Sequence, residues 1–222
     1  MKNFISLVVV VMATLMFVGC NYASHLGTQV IGSGTKKTEQ RNVAAFNAIN
    51  VSGAYDIDIV SQKSQSLEIE ADDNILPLIE TDVRDGVLYV HSKKGFSTRN
   101  DPHVKITVPD IARIAISGAG TVNVLDLKNE KFGVETHGAA DIRVGGETNA
   151  LAIEMNGAGT VDAKNLRAAK ASVATNGAAR ADVYVTEVLS ANVSGAGSIN
   201  YYGDPKTINK SVSGVGSIAK MP

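Results

Sequence analysis

The residues that could do chemistry are few and scattered. Asp162 and Asp182 recur at one position of a repeated pattern. Two carboxylates held side by side can act as general acid and base, or attack a glycosidic bond. Asn123, Arg143 and Asn200 occupy the equivalent position in other copies of the pattern. The five together form a polar ladder, as suited to hydrogen-bonding a polymer as to cleaving one. Arg143 would offset the acids, and a solvated polar row is the commoner meaning of such a column. Among His25, His91, His103 and His137 no pair has metal-ligand spacing, and the chain has one cysteine, which argues against a zinc site. Asp72-Asp73-Asn74 offers oxygens for calcium but lacks the glycine and later glutamate of a calcium loop; it reads as a turn or helix cap. The Gly-Ala-Gly sequences are not followed by Lys-Ser or Lys-Thr, so they do not form a phosphate loop. The expectation is no catalytic residue, no metal and no cofactor.

The one cysteine is explained by what precedes it. Lys2 is followed by a nearly unbroken apolar run from Phe4 to Val18, interrupted only by Ser6 and Thr14. That run is shorter than the roughly 20 residues of a membrane span and suits a signal peptide. It ends in Phe17-Val18-Gly19-Cys20, which resembles a lipobox, with Phe17 where Leu is usual. The Cys20 thiol would take diacylglycerol, and cleavage between Gly19 and Cys20 would free its amino group. A further acyl chain, palmitate-like, on the new amino terminus would make anchoring stable. Residues 1–19 are therefore read as a signal peptide and 20–40 as the lipidated cysteine with a flexible polar tether. Asn21, in place of an inner-membrane retention Asp, points to the outer membrane of a two-membrane cell. The partner implied is the membrane, and the face of it is open. A net charge of -1 gives no field that would draw nucleic acid.

The elements that must position the ladder come from an internal repeat. SGAGTVNV starts at Ser117, and related octapeptides start at His137, Asn156, Asn176, Ser194 and Ser213. Their glycines, Gly118, Gly138, Gly157, Gly177, Gly195 and Gly214, are spaced 20, 19, 20, 18 and 19 residues apart. An outlying copy carries Gly53. Before each glycine, residues alternate with a period of two. The inward candidates are Ala112, Ile114 and Ile116; Phe132, Val134 and Thr136; Leu151, Ile153 and Met155; Ala171, Val173 and Thr175; Leu189, Ala191 and Val193; and Ile208, Lys210 and Val212. After each glycine, Val122 and Val124 match Ile142 and Val144, then Val161 and Ala163. That alternation describes strands with one buried face.

A unit of about 20 residues cannot close a core alone, so copies must stack. The pattern predicts an all-β chain: a right-handed parallel β-helix of about 19–20-residue rungs, with the glycine as structural corner. Trp is absent and aromatics make up 5% of residues. A narrow core of Val, Ile, Leu and Ala is therefore expected, with little room for rings. The Ser117, His137, Asn156, Asn176, Ser194 and Ser213 column should satisfy turn amides. Residues 41–110 form a less regular β region. The 65 residues between Gly53 and Gly118 leave room for about three further rungs. Asp85-Gly86 predicts a type I′ hairpin with Val83 facing Leu88, a short helical turn falls within 74–80, and 93–101 reads as an exposed loop.

The repeats and the closing segment carry a resemblance. Gly195-Ala196-Gly197-Ser198-Ile199-Asn200, Tyr201-Tyr202-Gly203-Asp204-Pro205-Lys206 and Ser213-Gly214-Val215-Gly216-Ser217-Ile218 resemble the head GIN domain of putative auto-transporter adhesins. Phe46-Asn47-Ala48-Ile49 with Val51-Ser52-Gly53 resembles that domain's opening strand. The resemblance spans 41–220 and implies an exported lipoprotein with a β-helical body and no catalytic residues to carry over. Three functions compete. The first is a non-enzymatic, lipid-anchored envelope module that binds a polysaccharide or protein, adhesin-like, or acts as a spacer. The second is a polysaccharide lyase or hydrolase using Asp162 and Asp182. The third is a unit that assembles through its exposed end rung.

Overall fold

The computed structural model describes residues 29–222. Gly19, Cys20 and the expected signal peptide lie outside the described residues. Strands make up 75% of the described residues and there is no α-helix among them, so the fold is all-β. In chain order the elements are β1 (Val30–Ile31), β2 (Lys36–Gln40), β3 (Ala48–Ala54), β4 (Asp56–Val60) and β5 (Ser66–Asp72). A 3-10 turn (Leu76–Leu78) leads to β6 (Ile79–Arg84), β7 (Val87–Ser92), β8 (Phe96–Ser97) and β9 (His103–Thr107). Next comes β10 (Arg113–Gly195), an 83-residue run holding most of the repeats, then β11 (Ser198–Tyr202), β12 (Thr207–Gly214) and β13 (Ser217–Lys220). Most of these belong to one large mixed sheet, not closed into a barrel.

The repeats pair in parallel with the phase that the motif sets. Gly118 pairs with Gly53 in the β10–β3 register, and Gly195 with Gly214 in the β10–β12 register. Between them, a Cβ placed on Gly138 would overlap the carbonyl oxygen of Gly118, and the same relation links Gly157 to Gly138 and Gly177 to Gly157. The motif glycines therefore lie against one another in succession. Gly138 needs to be glycine twice over: its φ is +136°, and the neighbouring backbone occupies the space of a side chain. β10 passes through these glycines without a break, because each bends the strand without ending it.

The alternation sorts the side chains as expected through the first five copies. Ile114, Ile116, Phe132, Val134, Thr136, Leu151, Ile153, Met155, Ala171, Val173, Thr175, Leu189, Ala191 and Val193 are buried, and Ala112 is half-buried. The sixth copy differs. Every residue of β12 is exposed, including Ile208 and Val212, since among the described residues β12 pairs on one side only, with β10. Lys210 pairs in register with Ala191, and its Nζ lies 3.1 Å from the Tyr201 hydroxyl and 4.5 Å from that ring's centroid. Burying this charge is avoided by placing it at the end of the stack, over an aromatic face. The core also admits more rings than composition suggests. Phe46, Tyr55, Phe132 and Tyr201 are all buried. Tyr55 lies against Gly53, where the missing side chain leaves room for its ring, and burial pushes its phenol up to about 12.

Residues 29–110 correct three expectations. Gly53 and Gly118 are direct neighbours, so no three-rung stack separates them. The intervening chain supplies one more parallel layer, β7 on β3 and β9 on β4, and then turns antiparallel as β6 on β7 and β5 on β9, to which β2 from before Gly53 adds by pairing with β5. Lys36–Gln40, assigned by its polarity to the tether, is strand β2. The 93–101 loop contains β8, which pairs in parallel with β1. Other local readings agree with the structure: Val83 faces Leu88 across Asp85 and Gly86, both at positive φ as a type I′ turn requires, and the helical turn is the 3-10 turn at Leu76–Leu78.

Candidate functional site

The ladder follows the strands after the glycines, on the outward side of the apolar column. Inward Val122, Ile142, Val161, Ala181 and Ile199 are buried, so the next residue in each copy faces out by the period of two. Asn123, Arg143, Asp162, Asp182 and Asn200 are those residues. The structure gathers them into two hollows on one face. Arg143, Asp162 and Asp182 line the first, with Asp141, Thr160, Lys164 and Arg180, around about 270 Å³. Asn200 joins it from the next strand, where it pairs in register with Asp182 and donates from Nδ2 to Asp182 Oδ1 at 2.8 Å. Asn123 belongs to the second hollow, of about 450 Å³, with Asp56, Asp58 and His103.

Asp162 and Asp182 do come together, as the repeat predicts, but each is held by a cation of its own strand. Lys164 Nζ lies 3.1 Å from Asp162 Oδ2. Arg180 donates from Nε to Asp182 Oδ2 at 3.0 Å and from Nη2 to Oδ1 at 3.2 Å. These bonds hold the Lys164 ammonium and the Arg180 guanidinium above their usual ranges, each by hydrogen bonding to its carboxylate and then by the charge itself. Asp182 is 5% exposed, and both its oxygens accept bonds. A general acid needs a carboxyl kept protonated by an apolar wall or an unpaired neighbouring acid. Here the neighbours are donors: Lys164 for Asp162, and Arg180 with Asn200 for Asp182.

The second hollow contains residues that the sequence reading left aside. Asp58 pairs in register with Asn123, accepts from its Nδ2 at 2.8 Å, and lies 2.8 Å from His103 Nε2. The Asn123 bond, followed by the bond and charge of His103, holds the Asp58 carboxyl below the usual carboxylate range. Asp58 was legible: it stands five residues after Gly53, as Asn123 stands five after Gly118. His103 carried no such signal, because β9 brings it beside β4 by a pairing 45 residues away.

Two other expected groupings resolve differently. The Ser117–Ser213 column does not satisfy turn amides among the described residues. His137 Nε2 lies 2.9 Å from Glu135 Oε1, and Asn176 donates to Asn156 at 2.9 Å, so these side chains bond along the stack and to adjacent acids. Asp72-Asp73-Asn74 forms a turn, as expected, with Ile75 N donating to Asp72 O at 2.8 Å, but it does not cap the 3-10 turn, whose N-cap Ile75 has no side-chain bond. It fastens the arm of residues 29–40: Asn74 donates to Ile31 O at 2.7 Å and accepts from Ser33 N at 2.9 Å. Asp72, 1% exposed, accepts from Thr98 at 2.7 Å and Asn100 at 3.0 Å, and these bonds hold its carboxyl below the usual range. Among the described residues no group of three acids, histidines or cysteines could hold a metal, and no helix is long and apolar enough to cross a membrane.

Comparison with known proteins adds a family. The model described as "Putative auto-transporter adhesin, head GIN domain" matches residues 45–205. A solved structure of a putative adhesin from Bacteroides fragilis is 26% identical, with a TM-score of 0.72, over 86% of this chain and 100% of that one. Two structures from Parabacteroides share the fold at 19% identity, each over 88% of this chain and 100% of its own. One is a putative lipid binding protein of Parabacteroides distasonis, TM-score 0.56, and the other a putative adhesin of Parabacteroides merdae, TM-score 0.55. No curated protein matches the chain.

Proposed function

We propose a function that proceeds from one premise: the chain belongs to the family of putative auto-transporter adhesins with a head GIN domain. On that premise the protein is an adhesin-like module of the cell envelope, non-enzymatic, anchored by lipid on Cys20 and facing a polymeric ligand with its polar ladder. Its body is a right-handed parallel β-helix, capped at its N-terminal end by antiparallel strands. Stacked glycines at a spacing of about 19–20 residues and parallel pairing at both ends of β10 support that geometry. The lipobox-like Phe17-Val18-Gly19-Cys20 supports the anchor, and the family supports an envelope or surface location, in the outer membrane by the Asn21 argument.

The observation that carries the binding role is the saturation of the ladder. Arg180 and Asn200 occupy Asp182, Lys164 occupies Asp162, and Asn123 with His103 occupies Asp58. Groups fixed in this way present a rigid pattern of donors and acceptors, which suits hydroxyl-rich polysaccharide and not proton transfer. The test is a panel of envelope polysaccharides and proteins probed with the protein and with Arg143→Ala combined with Asp162→Asn. Both positions face outward, so the variant keeps its fold by circular dichroism. Loss of a charged hydrogen bond at each should weaken ligand binding at least about tenfold. Equal binding by both proteins would remove the ladder from the reading. Cleavage of any polymer by the protein would return it to enzymes.

A further inference from the structure

The arm that precedes the body is fixed at the end of the sheet opposite to its exposed last coil. The sheet runs from β2 through β5, β9 and β4 to β10, and β12 pairs with the far end of β10. Six glycine-to-glycine steps, from Gly53 to Gly214, cover part of that distance; at about 4.8 Å each they amount to about 29 Å, and β9, β5 and β2 lie beyond them. Beside β5, β1 is held by β8: Val30 N donates to Gly95 O at 3.0 Å, and Gly32 N to Ser97 O at 2.8 Å. Nine peptide steps separate Cys20 from Gln29, and even fully extended they reach about 32 Å. A lipid on Cys20 therefore holds this corner within about 32 Å of the bilayer, while the β12 end lies at the far side of the sheet.

The corner is built for that neighbour. Ile31 is 76% exposed, one of five exposed large apolar residues among the described residues. Beside it are the exposed cations Lys94, next to the Gly95 that receives Val30, and Arg99, which lines one hollow with Ile31. Neighbouring charges are already engaged: Lys93 pairs with Glu80 at 2.7 Å, Lys36 with Glu70 at 2.7 Å, and Asp72 is enclosed by Thr98 and Asn100. Asp73 bonds the Ser33 hydroxyl, and Asp101 lines the hollow of Asp58 and His103 instead. Lys94 and Arg99 form no ion pair among the described residues.

We propose that the β1–β8 corner is the face this protein lays on its membrane, with Lys94 and Arg99 on anionic lipid head groups and Ile31 in the head-group layer. The proposal rests on the lipid anchor at Cys20. The partner is a bilayer of net negative surface, since an exposed cation gains from such a surface and little from a neutral one. The two cations, with one apolar residue, orient a body that the acyl chains already hold.

The test uses the full lipidated protein in vesicles of phosphatidylethanolamine and phosphatidylglycerol. Lipidation consumes the Cys20 thiol, so a new cysteine is the single labelling site. An environment-sensitive fluorophore is placed at Ser97→Cys, which pairs with Ile31, or at Val215→Cys, on the far end and 88% exposed. Lipids with brominated chains should quench the first and leave the second unquenched. Lys94→Glu with Arg99→Glu should lower contact about fivefold or more for each residue changed, while the protein still floats with the vesicles. Equal quenching at the two sites, or quenching unaffected by the charge reversal, overturns the proposed face and leaves the anchor standing. Failure to float overturns the anchor and the face together.

Discussion

Substituting Gly138 by alanine separates the two demands that stacking places on the motif glycines. At this position φ is +136°, and an alanine Cβ would overlap the Gly118 carbonyl oxygen on the preceding copy. Holding an L-residue at such a φ costs about 1–3 kcal/mol. Forcing apart a packed neighbour costs about 1–3 kcal/mol more. The sum, about 2–6 kcal/mol, is a large part of the 5–15 kcal/mol by which domains are usually stable. Three other glycines isolate the components. Gly34 has a φ of +80° and nothing within 4 Å, so alanine there meets conformational strain alone. Gly197 has an ordinary φ, and a Cβ would come within 2.8 Å of the Ala179 carbonyl oxygen, so only crowding applies. Gly133 has neither demand: its nearest neighbour is Arg113 Cγ at 3.7 Å. Alanine at Gly133 should be neutral or stabilising by up to about 1 kcal/mol, through the unfolded chain. Urea unfolding followed by circular dichroism ranks the four, with unchanged m-values as the check that one transition is compared. The order should be Gly138→Ala worst, Gly34→Ala and Gly197→Ala intermediate, and Gly133→Ala harmless. If Gly138→Ala and Gly133→Ala unfold at the same urea concentration, stacking of the glycines is not what holds the repeats in phase.

Two further outcomes follow from the charged groups. Asp58, Asp72 and Glu135 are held below the usual carboxylate range by Asn123, Thr98 and His137 as their respective first causes. Each therefore adds stability that is complete above the unfolded value near 4 and is lost as pH falls through the lower folded value. The urea midpoint should be flat from about pH 7 to 5 and drop below about pH 4, less steeply in Asp58→Asn; a midpoint that rises on acidification would contradict the assigned partners. Lys210 sits at the end of an apolar column, and an inward charge on an edge strand discourages pairing with another chain. Lys210→Val should make the protein self-associate with concentration in sedimentation velocity, and a variant as monomeric as the parent would show that the end coil is protected by something else.

How much of this was readable from the sequence depends on whether a residue's partner stands at a repeat distance. Gly118, Gly138 and Gly157 lie 20 and 19 residues apart and touch, so counting alone aligns them, and the apolar columns follow. Asp58 and Asn123 are the same case, with the 65-residue gap concealing a direct pairing. The antiparallel cap was not readable because it has no period. β2, Lys-Lys-Thr-Glu-Gln, is exposed at every residue and held by backbone bonds to β5, which leave no hydrophobic trace in its composition. Charge pairs such as Lys36–Glu70 and Lys105–Glu68 join strands that come together only after the chain reverses.

The same rule explains why the ligand is the hardest thing to read. A strand of period two assigns alternate residues to the core and leaves the rest to solvent. Val161 and Ala163 are fixed by the columns they enter, whereas Asp162 between them touches only Lys164 and the hollow. Arg143 stands likewise between buried Ile142 and Val144. The stack can therefore stay folded while its ladder changes, because the outward residues vary without disturbing the apolar columns. Because the repeat constrains the inward half of each strand, it announces the fold; on the half that faces solvent the repeat is silent.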